Sequence, residues 1–146
     1  MTIINSVLIA NRGEIAIRIS KTLNEMGIKA YGIYSKDDSS SAHLSYCSEV
    51  FELNGTGPSA YLNIDEIISL AKSKKIKAVH PGYGFLSENY SFAANCIKNG
   101  IIFIGPNEKT LKNFSDKEKA KKLAQKLGIP ISVSYTHLTL PTNREV

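Results

Sequence analysis

The sequence predicts an α/β domain built on a doubly wound parallel sheet with helices on both faces. Short apolar runs recur along the 146 residues, and the segments between most of them place apolar side chains at three- and four-residue steps. Several of these amphipathic segments end at a glycine that leads into the next run. Parallel neighbours need crossover connections, which short strands alternating with helices supply.

Ser6 to Ala10 (SVLIA) is the first apolar run and meets a turn at Asn11-Arg12-Gly13. A helix is expected next, with Ile15, Ala16, Ile19, Leu23 and Met26 on one face and Glu14, Arg18, Lys21 and Glu25 on another. Gly27 stops it. Strands are expected at Lys29 to Ser35 and Val50 to Leu53, with a polar, serine-rich stretch from Lys36 to Ser41 between them.

Asn63 with Glu66 three residues on forms a capping-box pattern and opens a helix with Ile64, Ile67, Ile68 and Ala71 on one face. A strand at Lys77 to His80 runs into the loop Pro81-Gly-Tyr-Gly-Phe-Leu. Ser87 is expected to cap a helix carrying Phe92, Ala93, Cys96 and Ile97, which ends at Asn99-Gly100 and feeds a strand at Ile101 to Ile104. Beyond Gly105-Pro106, Ser115-x-x-Glu118 reads as a capping box for a lysine-rich helix with Ala120, Leu123, Ala124 and Leu127 on its buried side.

The composition, 42% hydrophobic and 21% charged, is that of a folded globular chain with material for one core. The formal charge of +5 rests on 15 Lys against three Arg, and seven of the lysines lie between Lys109 and Lys126, interleaved with acids. Guanidinium groups make most bidentate contacts to bases and phosphates, so no nucleic-acid partner is expected and the charge reads as a solvated face. Cys47 and Cys96 have no metal-type spacing, no run approaches membrane-spanning length, and the first residues lack a signal-peptide pattern. The expectation is a cytoplasmic protein with free thiols, no membrane partner and no metal ligands.

Two segments invite a ligand. Asn11-Arg12-Gly13-Glu14 lies where a Rossmann-like fold places its phosphate loop, but the G-x-G-x-x-G fingerprint is absent. Glu14 at the helix start also disfavours a bound pyrophosphate, so a structural turn is the better reading. The loop His80-Pro-Gly-Tyr-Gly-Phe-Leu-Ser-Glu-Asn89 follows a strand, where open α/β sheets put ligands, and its glycines let the backbone approach another group. A tight strand-to-helix turn with Phe85 and Leu86 merely packed is the alternative.

Val7-Leu-Ile-Ala-Asn-Arg-Gly-Glu-Ile-Ala-Ile-Arg-Ile19, the His80 to Asn89 loop and Phe103-Ile-Gly-Pro-Asn107 closely resemble, in order and spacing, the N-terminal domain of biotin carboxylase. That component occurs in acetyl-CoA, propionyl-CoA, pyruvate and urea carboxylases. Ala60-Tyr-Leu-Asn-Ile64 is similar to the family's linker into its next helix, and the likeness extends over about Ser6 to Pro130.

The resemblance implies a Rossmann-like, pre-ATP-grasp domain over residues 1–106, a helical bridge over 107–131 leading towards an ATP-grasp domain, and a tail over 132–146. It implies a ligase that uses ATP, Mg2+ and bicarbonate to carboxylate a biotin carried on a carrier protein, with a carboxyltransferase as the next partner. Lys117, in Ser115-Asp116-Lys117, matches the family's Gly-Asp-Lys and is the implied ATP-binding residue, Ser115 departing from the glycine. Tyr83 and Gly84 match positions on a wall of the biotin pocket, and Arg18, Lys21 and Glu25 match a homodimer surface of the bacterial enzymes. The remaining ATP lysines, the metal-binding glutamates and the biotin-holding arginine of the family lie beyond Pro130. The chain is therefore expected to be an N-terminal portion with no catalytic residue of its own and no activity alone.

The alternatives are the amino domain of another ATP-grasp ligase, such as carbamoyl phosphate or purine-pathway enzymes, and a dinucleotide-binding oxidoreductase module. From Ser132 the composition changes: SVSYTHLTLPTNREV holds no Lys or Gly and three of the seven threonines. It is expected to be foreign to the protein, a translated cloning or adapter sequence. Which acceptor the parent enzyme carboxylates is not encoded in these residues.

Overall fold

The computed structural model describes residues 3–131. Five strands, Ser6–Ile9 (β1), Lys29–Ser35 (β2), Glu49–Leu53 (β3), Ala78–His80 (β4) and Ile102–Phe103 (β5), form one sheet in the order β3-β2-β1-β4-β5. Every pairing is parallel. The helices are Gly13–Glu25 (α1), Gly57–Ala60 (α2), Ile64–Ser73 (α3), Tyr90–Lys98 (α4), Glu108–Phe114 (α5) and Lys117–Lys126 (α6). The Rossmann-like α/β sheet expected from the sequence is the observed fold.

Successive β1 residues point to opposite faces, so the four-residue run Val7-Leu-Ile-Ala10 feeds two cores at once. Val7, Ile9, Ala30 and Ala78 pack against Ala16, Ile19 and Leu23 of α1. Leu8, Ala10, Ile33 and Val79 pack on the other side against Ile67, Ile68 and Ala71 of α3 and Phe92 and Cys96 of α4. Phe92 also meets Phe103 edge-on, with ring centroids 5.8 Å apart. Both layers are continuous with β1, which is why that central strand is buried throughout.

The crossover from β2 to β3 contains no α-helix. Two 3-10 turns, Lys36–Asp38 and Ala42–Tyr46, make the connection. Buried His43 pins it: its Nε2 donates to the Ile33 carbonyl at 3.0 Å, and its Nδ1 accepts from the Ser41 hydroxyl at 2.8 Å. A carbonyl can only accept, which fixes that tautomer.

Several local expectations are corrected. Asn63 does cap α3, accepting from the Glu66 amide at 3.2 Å, but Glu66 Oε2 takes the Asn63 side-chain amide at 3.1 Å in place of its backbone amide, and Oε1 takes the Asn54 backbone amide at 2.8 Å and its side-chain amide at 2.7 Å. The cap of α4 is Asn89, whose Oδ1 accepts from the Phe92 amide at 3.0 Å, and Ser87 lies in the preceding turn. The lysine-rich segment is two helices, with Ser115 ending α5 and Asp116 capping α6 through the amides of Glu118 and Lys119. Ala120, Leu123 and Ala124 are only half-buried and Leu127 is exposed, because α6 packs against α5 and lies outside both cores. Met26 and Ile97 are exposed as well, Met26 lying past the last turn of α1 and Ile97 in the last turn of α4. The tail from Ser132 lies outside the described residues.

Candidate functional site at the carboxyl edge of the sheet

The strand order reverses direction between β1 and β4, and the loops leaving these two strands lie side by side. Such a switch point is where open α/β sheets form a ligand crevice. Here the Asn11-Arg12 turn and the Pro81 to Asn89 loop meet at that point.

Asn11 is 2% exposed and joins the two. Its Nδ2 donates to the Pro81 carbonyl at 2.7 Å and to the Tyr83 carbonyl at 2.7 Å, while its Oδ1 accepts from the Arg12 amide at 2.8 Å. The loop closes on itself as well: the Gly82 amide donates to His80 Nδ1 at 3.0 Å, and the Ser87 amide donates to the Gly84 carbonyl at 2.9 Å. Burial lowers the His80 pKa below its ordinary value, which favours the neutral ring that this acceptor role requires.

Gly82 and Gly84 both have positive φ, +66° and +64°, a region that side chains disfavour. Their surroundings differ. A Cβ on Gly82 would stand 2.7 Å from Asn11 Nδ2, whereas a Cβ on Gly84 would meet nothing within 4 Å. Tyr83, between them, is 62% exposed. The loop therefore presents an exposed aromatic ring beside open backbone.

A second set of contacts braces the other side. Arg12 reaches Asp38 through Nε at 2.7 Å and Nη2 at 2.8 Å. Tyr61 donates to Asp38 Oδ2, the oxygen that also takes Arg12 Nε, at 2.7 Å, accepts from the Ser35 amide at 3.1 Å and packs its ring on Phe85, 5.3 Å between centroids. Phe85 itself holds φ of +40°, unusual for a non-glycine residue and worth the strain only where neighbours fix it. Asn11, Asp38 and Tyr61 are the site residues that sequence reasoning missed. Their best available signal is polar or amphipathic residues at the carboxyl ends of strands or in the connections that follow.

The other expected residues lie elsewhere. Lys117 is the first residue of α6, exposed, next to Asp116, whose carboxyl is held below the usual range by the amides it caps. Ser115 has φ of −68° and ψ of −20°, ordinary helical values, so replacement of the family's glycine leaves the path into Lys117 unstrained. Arg18, Lys21 and Glu25 lie exposed on α1. Arg18 pairs with Glu14 at 3.8 Å, while Lys21 sits 5.2 Å from the Tyr46 ring centroid. An apolar groove of about 620 Å³ runs between α1 and the sheet, lined by Ile4, Ile15, Ile19, Met26 and Ile104, with His80 at its border. It holds too few converging polar groups for chemistry.

The model of the biotin carboxylase N-terminal domain matches residues 3–111. The chain belongs to this family. It is 50% identical over 131 residues to pyruvate carboxylase of Bacillus subtilis, covering 88% of this chain and 11% of that protein. It is 42% identical over 134 residues to the mitochondrial methylcrotonoyl-CoA carboxylase subunit alpha of Mus musculus, covering 90% of this chain and 18% of that one. Among solved structures, the biotin carboxylase domain dimer of Hydrogenobacter thermophilus 2-oxoglutarate carboxylase, in complex with MgADP, ADP and bicarbonate, superposes with a TM-score of 0.86. The match is 38% identical and covers 89% of this chain and 29% of that one. The chain thus spans less than a third of each protein compared, and the biotin carboxylase domain is what the comparisons share.

Proposed function

We propose that this chain forms one wall of the biotin pocket and the entry to the ATP site of a biotin carboxylase. The ligase would use ATP, Mg2+ and bicarbonate to carboxylate carrier-bound biotin and would pass the carboxyl group to a carboxyltransferase. The observation that carries this reading is the loop at the switch point, held by Asn11 and presenting exposed Tyr83 beside open Gly84. Tyr83 supplies a face for the apolar edge of biotin, and Gly84 leaves space for backbone approach. Lys117 would supply a cation to the phosphates of ATP, where charge stabilisation carries most of phosphoryl-transfer catalysis.

The 146-residue chain alone would lack ATP-dependent activity, because a single phosphate-facing lysine does not assemble a nucleotide site. Arg18, Lys21 and Glu25 would face a second copy in the intact enzyme. Two free thiols suit a reducing, cytoplasmic setting. No helix among the described residues is long and apolar enough to cross a membrane.

A dinucleotide-binding role is disfavoured by Asp38. A dinucleotide fold uses an acidic residue after its second strand to hold ribose hydroxyls. Here that carboxylate is already occupied by Arg12 and Tyr61.

The experiment is a chimaera in which residues 3–131 replace the matching residues of Bacillus subtilis pyruvate carboxylase. ATP- and bicarbonate-dependent carboxylation of biotin within tenfold of the parent supports the reading, and a folded chimaera with none contradicts it. Lys117→Ala in the active chimaera should raise KM for ATP. An unchanged KM and kcat would make Lys117 an ordinary surface lysine.

A further inference from the structure

We infer that Asn11 is a positioning residue for the biotin-facing loop, acting through the backbone of Gly82 and not through contact with substrate. This inference rests on the reading of Tyr83 and Gly84 as a pocket wall. Both protons of the Asn11 amide are used, one on the carbonyl before Gly82 and one on the carbonyl after it, at 2.7 Å each. The two carbonyls converge on one nitrogen only because the chain curls at Gly82, where φ is +66°.

The amide orientation is unambiguous. Turning the side chain over would set Oδ1 against two carbonyl oxygens and Nδ2 against the Arg12 amide, replacing three hydrogen bonds with three repulsions. At 2% exposure no bulk water can substitute for a lost donor. The fit is tight from the loop side too, since a Cβ on Gly82 would lie 3.0 Å from Asn11 Cγ and 3.1 Å from its Cβ. Asparagine at 11 and glycine at 82 are therefore a matched pair. Asn11 sits one residue past the backbone bond between the Ala10 amide and the His80 carbonyl, at 2.9 Å, so the clamp is anchored on the sheet itself.

Asn11→Asp tests the assignment with the least change of shape, keeping the acceptor for the Arg12 amide but facing both carbonyls with oxygen. Gly82→Ala tests it from the other side of the pair. In the 146-residue chain, each variant should speed amide exchange at position 82 and at Ser87 at least tenfold, while Leu8 and Val79 in the sheet keep their protection. In the chimaera, each should raise KM for biotin about tenfold with kcat within threefold, a split that general destabilisation does not produce. Unchanged exchange in the loop overturns the inference, as does a KM for biotin within twofold of the parent alongside a lower melting midpoint. If the unsubstituted chimaera fails to carboxylate biotin, the functional reading falls, and amide exchange alone decides whether Asn11 holds the loop.

Discussion

Asp38 grips Arg12 with both carboxylate oxygens, Oδ2 taking Nε at 2.7 Å and Oδ1 taking Nη2 at 2.8 Å. The pair ties the turn after β1 to the turn after β2, next to the loop proposed to face biotin. Asp38 is the better shielded partner, with 12% side-chain exposure against 38% for Arg12. Asp38→Asn keeps the shape but removes the charge and one good acceptor. The expected cost is about 1–2 kcal/mol, a melting midpoint lower by roughly 3–8 °C. Thermal unfolding checks it, and a shift under about 1 °C would show that the pair is only a surface contact.

Tyr61→Phe isolates the hydroxyl from the ring. The ring still packs on Phe85, but the Ser35 amide loses its acceptor and Asp38 loses a donor. An unsatisfied buried amide costs about 1–3 kcal/mol, so the variant should unfold at correspondingly lower urea concentration with an unchanged m-value. A midpoint equal to that of the parent would mean that water replaces the hydroxyl.

These residues show where sequence reading reaches and where it stops. The strands and the apolar stripes of α1 and α3 were legible because burial imposes a period that survives in one dimension, as Ala16, Ile19 and Leu23 do. Asn63 was legible because a cap and its amide are three residues apart. The clamp was not. Asn11 and Tyr83 are 72 positions apart, and Asp38 meets Tyr61 across 23, so these contacts exist only once the strand order has brought three connections together. Tyr83 and Gly84 take their assigned role from family resemblance, and their spacing alone carries none. Met26 and Ile97 fit the periodicity yet lie exposed, because a helical stripe does not record where its neighbour ends.

His80 should make the loop sensitive to acid. Burial lowers its pKa from the ordinary 6.5, so the folded chain binds its proton less readily than the unfolded chain does. Its contribution to stability is therefore full above about 6.5 and is lost as pH falls from there towards the folded pKa. Protonated Nδ1 also stops accepting from the Gly82 amide. His80→Asn keeps a non-titrating acceptor, so the drop in melting midpoint between about pH 7.5 and about pH 5 should shrink in the variant. An equal drop in both proteins would assign the acid sensitivity to other groups.

The two thiols should differ from free cysteine in reactivity. Burial pushes the Cys96 thiol up to about 12 and raises that of half-buried Cys47 as well. With little thiolate available, native protein should react slowly with a disulfide reagent at neutral pH, Cys47 before Cys96, and both should react at once in denaturant. Rapid labelling of Cys96 in the native chain would show that α4 opens readily.

The most direct test of the pocket-wall assignment is Gly84→Val in the chimaera, read as KM for biotin beside the melting midpoint. A Cβ there would meet nothing within 4 Å in this chain, so the main structural penalty comes from its φ of +64°. That strain costs about 1–2 kcal/mol. The added isopropyl group would enter the space assigned to biotin, and KM for biotin should rise at least tenfold while the chimaera stays folded. A KM within twofold of the parent, with only the melting midpoint reduced, would contradict the assignment and leave the loop as a structural turn.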